Sequence, residues 1–380
     1  MAWYHVILVL IIILGIICST YRSRGLNIEK AVLFCCAAIL LFFAAMRGIT
    51  VGADTRQYCW VFDWMNQTNW FDIPTAVNYS VYYANDQEVV YRYYNKILTV
   101  FFNNHQVATI ANSMLLIGLI SLLIYKQSKD KWLSIFLYFT LCFYQTALNL
   151  TPSSIASYAC LCAIPFAIKK KPLPYFLIVG CAIFFHTSAV AFLPLYFLVR
   201  LKITPKGFWL TLILFFTATT FLYEPILLGL AKIMPSRYLW YLERSTEKQE
   251  QLLVWFVQLV LICLCWFLRR RDKDFFSANR VFFVIFLVES MFYFMAMQQS
   301  IFSRVSFLYS PYLIIAIPNM LKNNVLVKEK GIEQNRLLNH GRQVISLGNA
   351  LVIMYLIGVF VLRISVNNVG KTLPYLFFWQ

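Results

Sequence analysis

Twelve residues, Arg47-Gly48-Ile49-Thr50-Val51-Gly52-Ala53-Asp54-Thr55-Arg56-Gln57-Tyr58, bring together two guanidinium groups, one carboxyl and two glycines. A guanidinium beside backbone N–H groups in a glycine turn suits a phosphate or pyrophosphate. The plain alternative is that Arg47, leaving an uncharged run from Ala31 to Met46, only anchors a helix end in lipid headgroups. His186, in Phe184-Phe185-His186-Thr187-Ser188-Ala189, stands at the turn of a short apolar hairpin. It is either a satisfied buried imidazole or a proton-transfer group, and spacing assigns it no partner. Arg237-Tyr238 with Tyr241, and Arg304 a few residues into an apolar run, add two more cations. Glu289, midway along another run, is by default functional or paired with a buried base.

Several chemistries lack their residues. The chain has no P-loop, no Gly-x-Gly-x-x-Gly after a strand and no His/Cys metal cluster. No Asp-Asp or Glu-x-Asp pair follows the second apolar run, so metal-dependent sugar transfer of that kind is unsupported, and no metal is expected. Of ten cysteines, only Cys59 lies outside an apolar segment, so the thiols read as small apolar fillers.

The elements that must hold these residues follow from composition. Of 380 residues, 61% are hydrophobic, 18% aromatic and only 13% charged, far more apolar surface than one soluble core hides. Lipid leaves backbone polar groups no partner but each other, and the apolar runs are continuous rather than alternating, which selects helices. Twelve segments are expected, at about 3–20, 31–46, 107–125, 132–150, 152–168, 173–186, 187–199, 207–224, 251–268, 279–297, 301–320 and 344–363. The sixth and seventh are short for crossing a bilayer, which takes roughly 20 residues, and read together as a hairpin. Trp3 to Cys18 has no basic residue before it and is read as a retained first helix. The fold class is therefore all-α: a polytopic transmembrane protein, 1–380 as one domain, with two external segments at about 47–106 and 224–250.

Charge placement orients it. Alternate loops carry 22 of the 33 basic residues, and the acidic residues divide the other way. The positive-inside rule puts those loops in the cytoplasm and both termini outside it. The net charge of +17 is thus a topology signal, and no nucleic acid is expected as a partner.

At these residues the chain resembles the EpsG family, Wzy-like polymerases of bacterial exopolysaccharide, capsule and O-antigen. Arg47, Gly52, Asp54 and Tyr58 fall on that family's Arg-x4-Gly-x-Asp-x3-Tyr element. His186, Ser188 and Ala189, then Pro194, Leu195 and Tyr196, are similar to its His-x-Ser-Ala element. Arg304 with Tyr309, Tyr312 and Pro318 resembles its later Arg helix, and Arg237-Tyr238-x-x-Tyr241 its Tyr-rich external piece. One stretch departs: Asn149-Leu150-Thr151-Pro152-Ser153-Ser154-Ile155-Ala156 has Pro152-Ser153 where relatives carry Arg-Gln.

The resemblance implies polymerisation of lipid-linked repeat units at the outer face of the bacterial cytoplasmic membrane, without a cofactor. Donor and acceptor glycans would ride on undecaprenyl pyrophosphate in the lipid bilayer, and a chain-length regulator is a further possible partner. It implies pyrophosphate binding by Arg47, Arg237 and Arg304, a general base in Asp54 or His186, and loop geometry set by Gly52. A glycosyltransferase adding a single sugar and a glycolipid flippase are the alternatives.

Overall fold

Helix 2–23 shows how this sequence makes its elements. Tyr4, Ile7, Leu8, Ile11, Gly15 and Cys18 recur at helical spacing and are buried, while Val9 and Ile16 point outward and are as apolar as the inner row. A helix apolar on every face has lipid on its outer side. Gly15 is needed for packing, because a Cβ there would overlap the Trp132 indole, whose Nε1 donates to the Ile11 carbonyl at 2.8 Å.

The computed structural model describes residues 2–77, 87–223, 249–269, 272–299, 301–322 and 353–380, with isolated positions 225, 229 and 232. It is all-helical, with no strand among the described residues. Three helices there are long and apolar enough to span a bilayer: Ala2–Ser23, Gln106–Gln127 and Thr151–Ile168. Pro172–Phe185, Val254–Leu268 and Ile353–Ser365 are shorter apolar helices.

The chain divides into two compact units, Met1–Leu193 with Tyr355–Gln380, and Pro194–Met354. In the first, α1 (Ala2–Ser23), α2 (Glu29–Ala45), α5 (Gln106–Gln127), α6 (Lys131–Thr140), α8 (Thr151–Ile168) and α9 (Pro172–Phe185) pack α1 on α2, α2 on α5 and α6, α5 on α8, and α8 on α9. Small residues of α8 (Ser154, Ala156, Ser157, Ala163, Ala167) are buried, letting its neighbours approach closely. One end of this unit is ionic, with Arg22 paired to Glu29 and Asp130, and Lys131 near Glu29. The far end of α2 carries the Arg47 loop.

Three sequence expectations change. The run 132–150 is two helices, because Cys142 takes a left-handed conformation (φ 61°) between α6 and α7 (Phe143–Asn149). The Leu141 carbonyl at that break is taken by the Arg363 guanidinium. Segment 187–199 is a 3₁₀ turn (Thr187–Phe192) followed by the single turn α10 (Leu195–Leu198). The span 47–106, expected to be an external loop, holds α3 (Thr55–Gln67) and α4 (Val89–Phe101). In α4 the polarity is inverted: Tyr91, Arg92, Asn95 and Thr99 are buried, while Val90, Ile97, Val100 and Phe101 are exposed. That outer face suits a helix lying against lipid.

In the second unit, α11 (Pro205–Phe221) starts at Thr204, whose hydroxyl accepts from Gly207 N–H, with Pro at the first helical position. It packs on Arg280–Ala296, which packs in turn on Ile301–Tyr309. Stacked and edge-on rings of Phe208, Phe276, Phe283 and Phe286 fill the interior. Glu289, read as either functional or paired with a buried base, is buried and accepts from Ser310 Oγ at 2.6 Å.

Candidate functional site at the end of the first unit

Beyond Ala45 the chain must turn sharply to start α3 only ten residues later. Val51 N–H donates to the Gly48 carbonyl at 3.1 Å and Thr55 N–H to the Gly52 carbonyl at 3.2 Å. Gly52 makes the turn possible at φ +95°, a region L side chains avoid. A Cβ there would also stand 2.8 Å from Thr55 Oγ1 and 3.1 Å from the Leu148 carbonyl oxygen. Gly52→Ala is therefore expected to destabilise the unit by about 1–3 kcal/mol, read as a lower melting temperature in detergent.

The loop docks on the α7–α8 junction. Asp54 N–H donates to Asn149 Oδ1 at 2.9 Å, and the Tyr58 hydroxyl to the Asn149 carbonyl at 3.1 Å. Thus the Asn that opens the divergent stretch holds two residues of the first signature. Pro152 and Ser153, which replace the relatives' Arg-Gln pair, are buried in the first turn of α8.

Arg47 is 2% exposed, and no carboxylate pairs with it among the described residues. Its Nη1 donates to the Ala44 carbonyl at 2.6 Å and to Ser113 Oγ at 3.0 Å, and its Nη2 to the Leu148 carbonyl at 3.5 Å. Ala44 and Leu148 lie in the last turns of α2 and α7, the negative ends of two helix dipoles, so the cation staples two helix C-termini. The C-terminal strap closes over it. Gly48 N–H donates to the Leu376 carbonyl at 2.8 Å, Phe378 N–H to the Met46 carbonyl at 3.0 Å, and Gly52 N–H to the Lys371 carbonyl at 3.1 Å. The glycine N–H groups that the sequence offered to a phosphate are held here by carbonyls of the strap. Arg56, in the first turn of α3, is exposed.

His186 ends α9 at this same end. Its extended backbone (φ −154°, ψ 116°) carries the imidazole off the helix, and the side chain is 29% exposed. Nδ1 lies 3.2 Å from Glu88 Oε1 and 3.3 Å from Oε2, and Nε2 makes no hydrogen bond among the described residues. Thr187 donates to Glu88 Oε1 twice, from its N–H at 2.9 Å and its hydroxyl at 2.7 Å. Burial pushes the Glu88 carboxyl up, but the His186 imidazole and then the Thr187 donors outweigh it and hold the group at about 2. Glu88 is therefore ionised at any physiological pH.

Rings join the two motifs. Tyr58 of the first signature meets Tyr91 edge-on at 6.1 Å, and Tyr91 meets Phe185, the residue before His186, at 5.4 Å. Val61, Met65 and Ile73 complete this buried cluster. Sequence reasoning gave His186 no partner because Glu88 is 98 positions away; its one signal was an acid just before a helix, a place the helix dipole already explains.

Asp54 is half-buried and opens α3. Arg304 is exposed on the helix Ile301–Tyr309 of the second unit. Arg237, Tyr238 and Tyr241 lie outside the described residues. Among those described, no three His, Cys, Asp or Glu side chains gather as metal ligands would.

An all-helical membrane protein with a polar site at one end of a helical unit is the class these features define. The chain belongs to the EpsG family, whose model matches residues 30–377. No curated protein and no solved structure matches it.

Proposed function

We propose that this chain is a polysaccharide polymerase, joining lipid-linked oligosaccharide repeat units into an exopolysaccharide, capsule or O-antigen. Family membership supports the exopolysaccharide reading. The observation that carries the chemistry is His186, part-exposed at the end of α9, with Nδ1 against a carboxylate and Nε2 without a hydrogen bond among the described residues. With Nδ1–H donated to Glu88, the neutral ring keeps its lone pair on Nε2, where it can accept a proton.

In the reaction, Nε2 takes the proton of an acceptor-sugar hydroxyl as its oxygen attacks the anomeric carbon of the donor. The bond from that carbon to the lipid pyrophosphate breaks, and the pyrophosphate leaves with the electron pair. The leaving group is already activated, so no nucleotide is consumed. Arg56, exposed in the first turn of α3, is the cation of the first signature that we assign to the growing pyrophosphate charge. Arg47, stapled beneath the strap, sets the loop's shape. Asp54 stands in the same loop as an alternative base. In this reading this end of the unit faces outward from the bacterial cytoplasmic membrane, an orientation the positive-inside count supports.

The test is reconstitution. The purified chain in proteoliposomes is given the polyprenyl-pyrophosphate-linked repeat unit that accumulates in a strain lacking it. A ladder of multiples of the repeat is expected on a gel. Extension by one sugar, or transfer of the intact unit across the bilayer without a ladder, would replace this reading with one of its rivals.

A further inference from the structure

The Glu88 carboxylate does more than neutralise a histidine. It stands just before α4, immediately after a span outside the described residues, and bridges α4 to the end of α9. Its side chain is 9% exposed, and one oxygen accepts both donors of Thr187. Two donors from one residue fix that oxygen, and Nδ1 of the neighbouring ring lies within 3.3 Å of both carboxylate oxygens. An ion pair serving only to join α4 to α9 would need neither the double anchor nor an imidazole whose second nitrogen has no hydrogen bond among the described residues.

We propose that Glu88 is the positioning residue of this site. It fixes the His186 ring and its Nδ1–H tautomer, and it stabilises the imidazolium formed when Nε2 takes a proton from the acceptor hydroxyl. Glu88 does not touch the sugar and does not itself become protonated. The arrangement follows the general logic of a base oriented by a third group. This inference rests on the base role given to His186 above.

Glu88→Gln is the decisive variant. The amide oxygen still accepts from Thr187, while the NH2 replaces the second carboxylate oxygen beside Nδ1, which removes the charge that stabilises the imidazolium and favours the tautomer with a proton on Nε2. In the proteoliposome assay, kcat is expected to fall about 100- to 10,000-fold with KM for the lipid-linked repeat unit unchanged. In a His186→Ala background the same substitution is expected to have no further effect, because the two residues act as one unit. Thr187→Val, which removes only the hydroxyl donor, is expected to lower kcat about five- to tenfold, and it decides the matter if Glu88→Gln does not fold.

Full kcat in Glu88→Gln, or an equal loss with and without His186, overturns the positioning role while leaving the base intact. Full activity in His186→Ala overturns the base itself.

Discussion

His186→Ala is expected to reduce polymer formation by about 100- to 10,000-fold while the protein inserts, folds and melts as the wild type does. In activation energy that is about 3–5.5 kcal/mol, the usual contribution of a well-placed general base. The ring is 29% exposed, and its removal leaves Glu88 with both Thr187 donors, so little of the fold depends on it. The measurement is initial rate of ladder formation, with single repeat units quantified alongside. Asp54→Asn is the companion variant, since the same loss there and none at His186 would move the base to the signature loop.

Arg47 has an effect of similar size by a different route. Removing its side chain strips donors from the Ala44 and Leu148 carbonyls and the Ser113 hydroxyl, all in a buried setting. Each orphaned group costs about 1–3 kcal/mol, so Arg47→Ala is expected to lose about 3–5 kcal/mol and most of its folded population. Arg47→Lys keeps the charge, but a single ammonium cannot span the ends of α2 and α7 as the planar fork does. It is expected to be less stable than wild type and more stable than Arg47→Ala. Thermal unfolding in detergent reads both. An Arg47→Lys protein that melts with the wild type yet makes no polymer would return Arg47 to the pyrophosphate.

The sequence and the structure agree where lipid dictates the pattern. Continuous apolar runs mark α1, α2, α5, α8 and α9 within a few residues, because an apolar segment in lipid satisfies its backbone only as a helix. Disagreement sits where the backbone departs from apolar periodicity. Cys142 is an ordinary apolar residue in sequence, and nothing in its side chain announces φ 61°. α4 was missed because it turns polar residues inward and apolar ones outward, the reverse of a water-facing helix.

The site divides in the same way. The positions of Gly52 in a turn and of His186 at the end of an apolar helix follow from residue type and spacing, and the structure has Gly52 at φ 95° and His186 as the residue after α9. The neighbours of Arg47 do not follow in this way, since the strap reaches its loop through main-chain atoms, which carry no residue-type signal. Glu88 and Asn149 are common polar residues whose meaning comes only from what they touch.

The strap also reverses the order of synthesis and assembly. Gly48 waits about 330 residues for the Leu376 carbonyl that completes its turn. At about 5–20 residues per second, a ribosome needs roughly 15–65 s to deliver it. Throughout that interval the guanidinium seat lacks the main-chain partners that cover it in the fold. The seat closes only once the stretch around Leu376 has been made, which ties the shape of the first signature to a segment about 330 residues downstream.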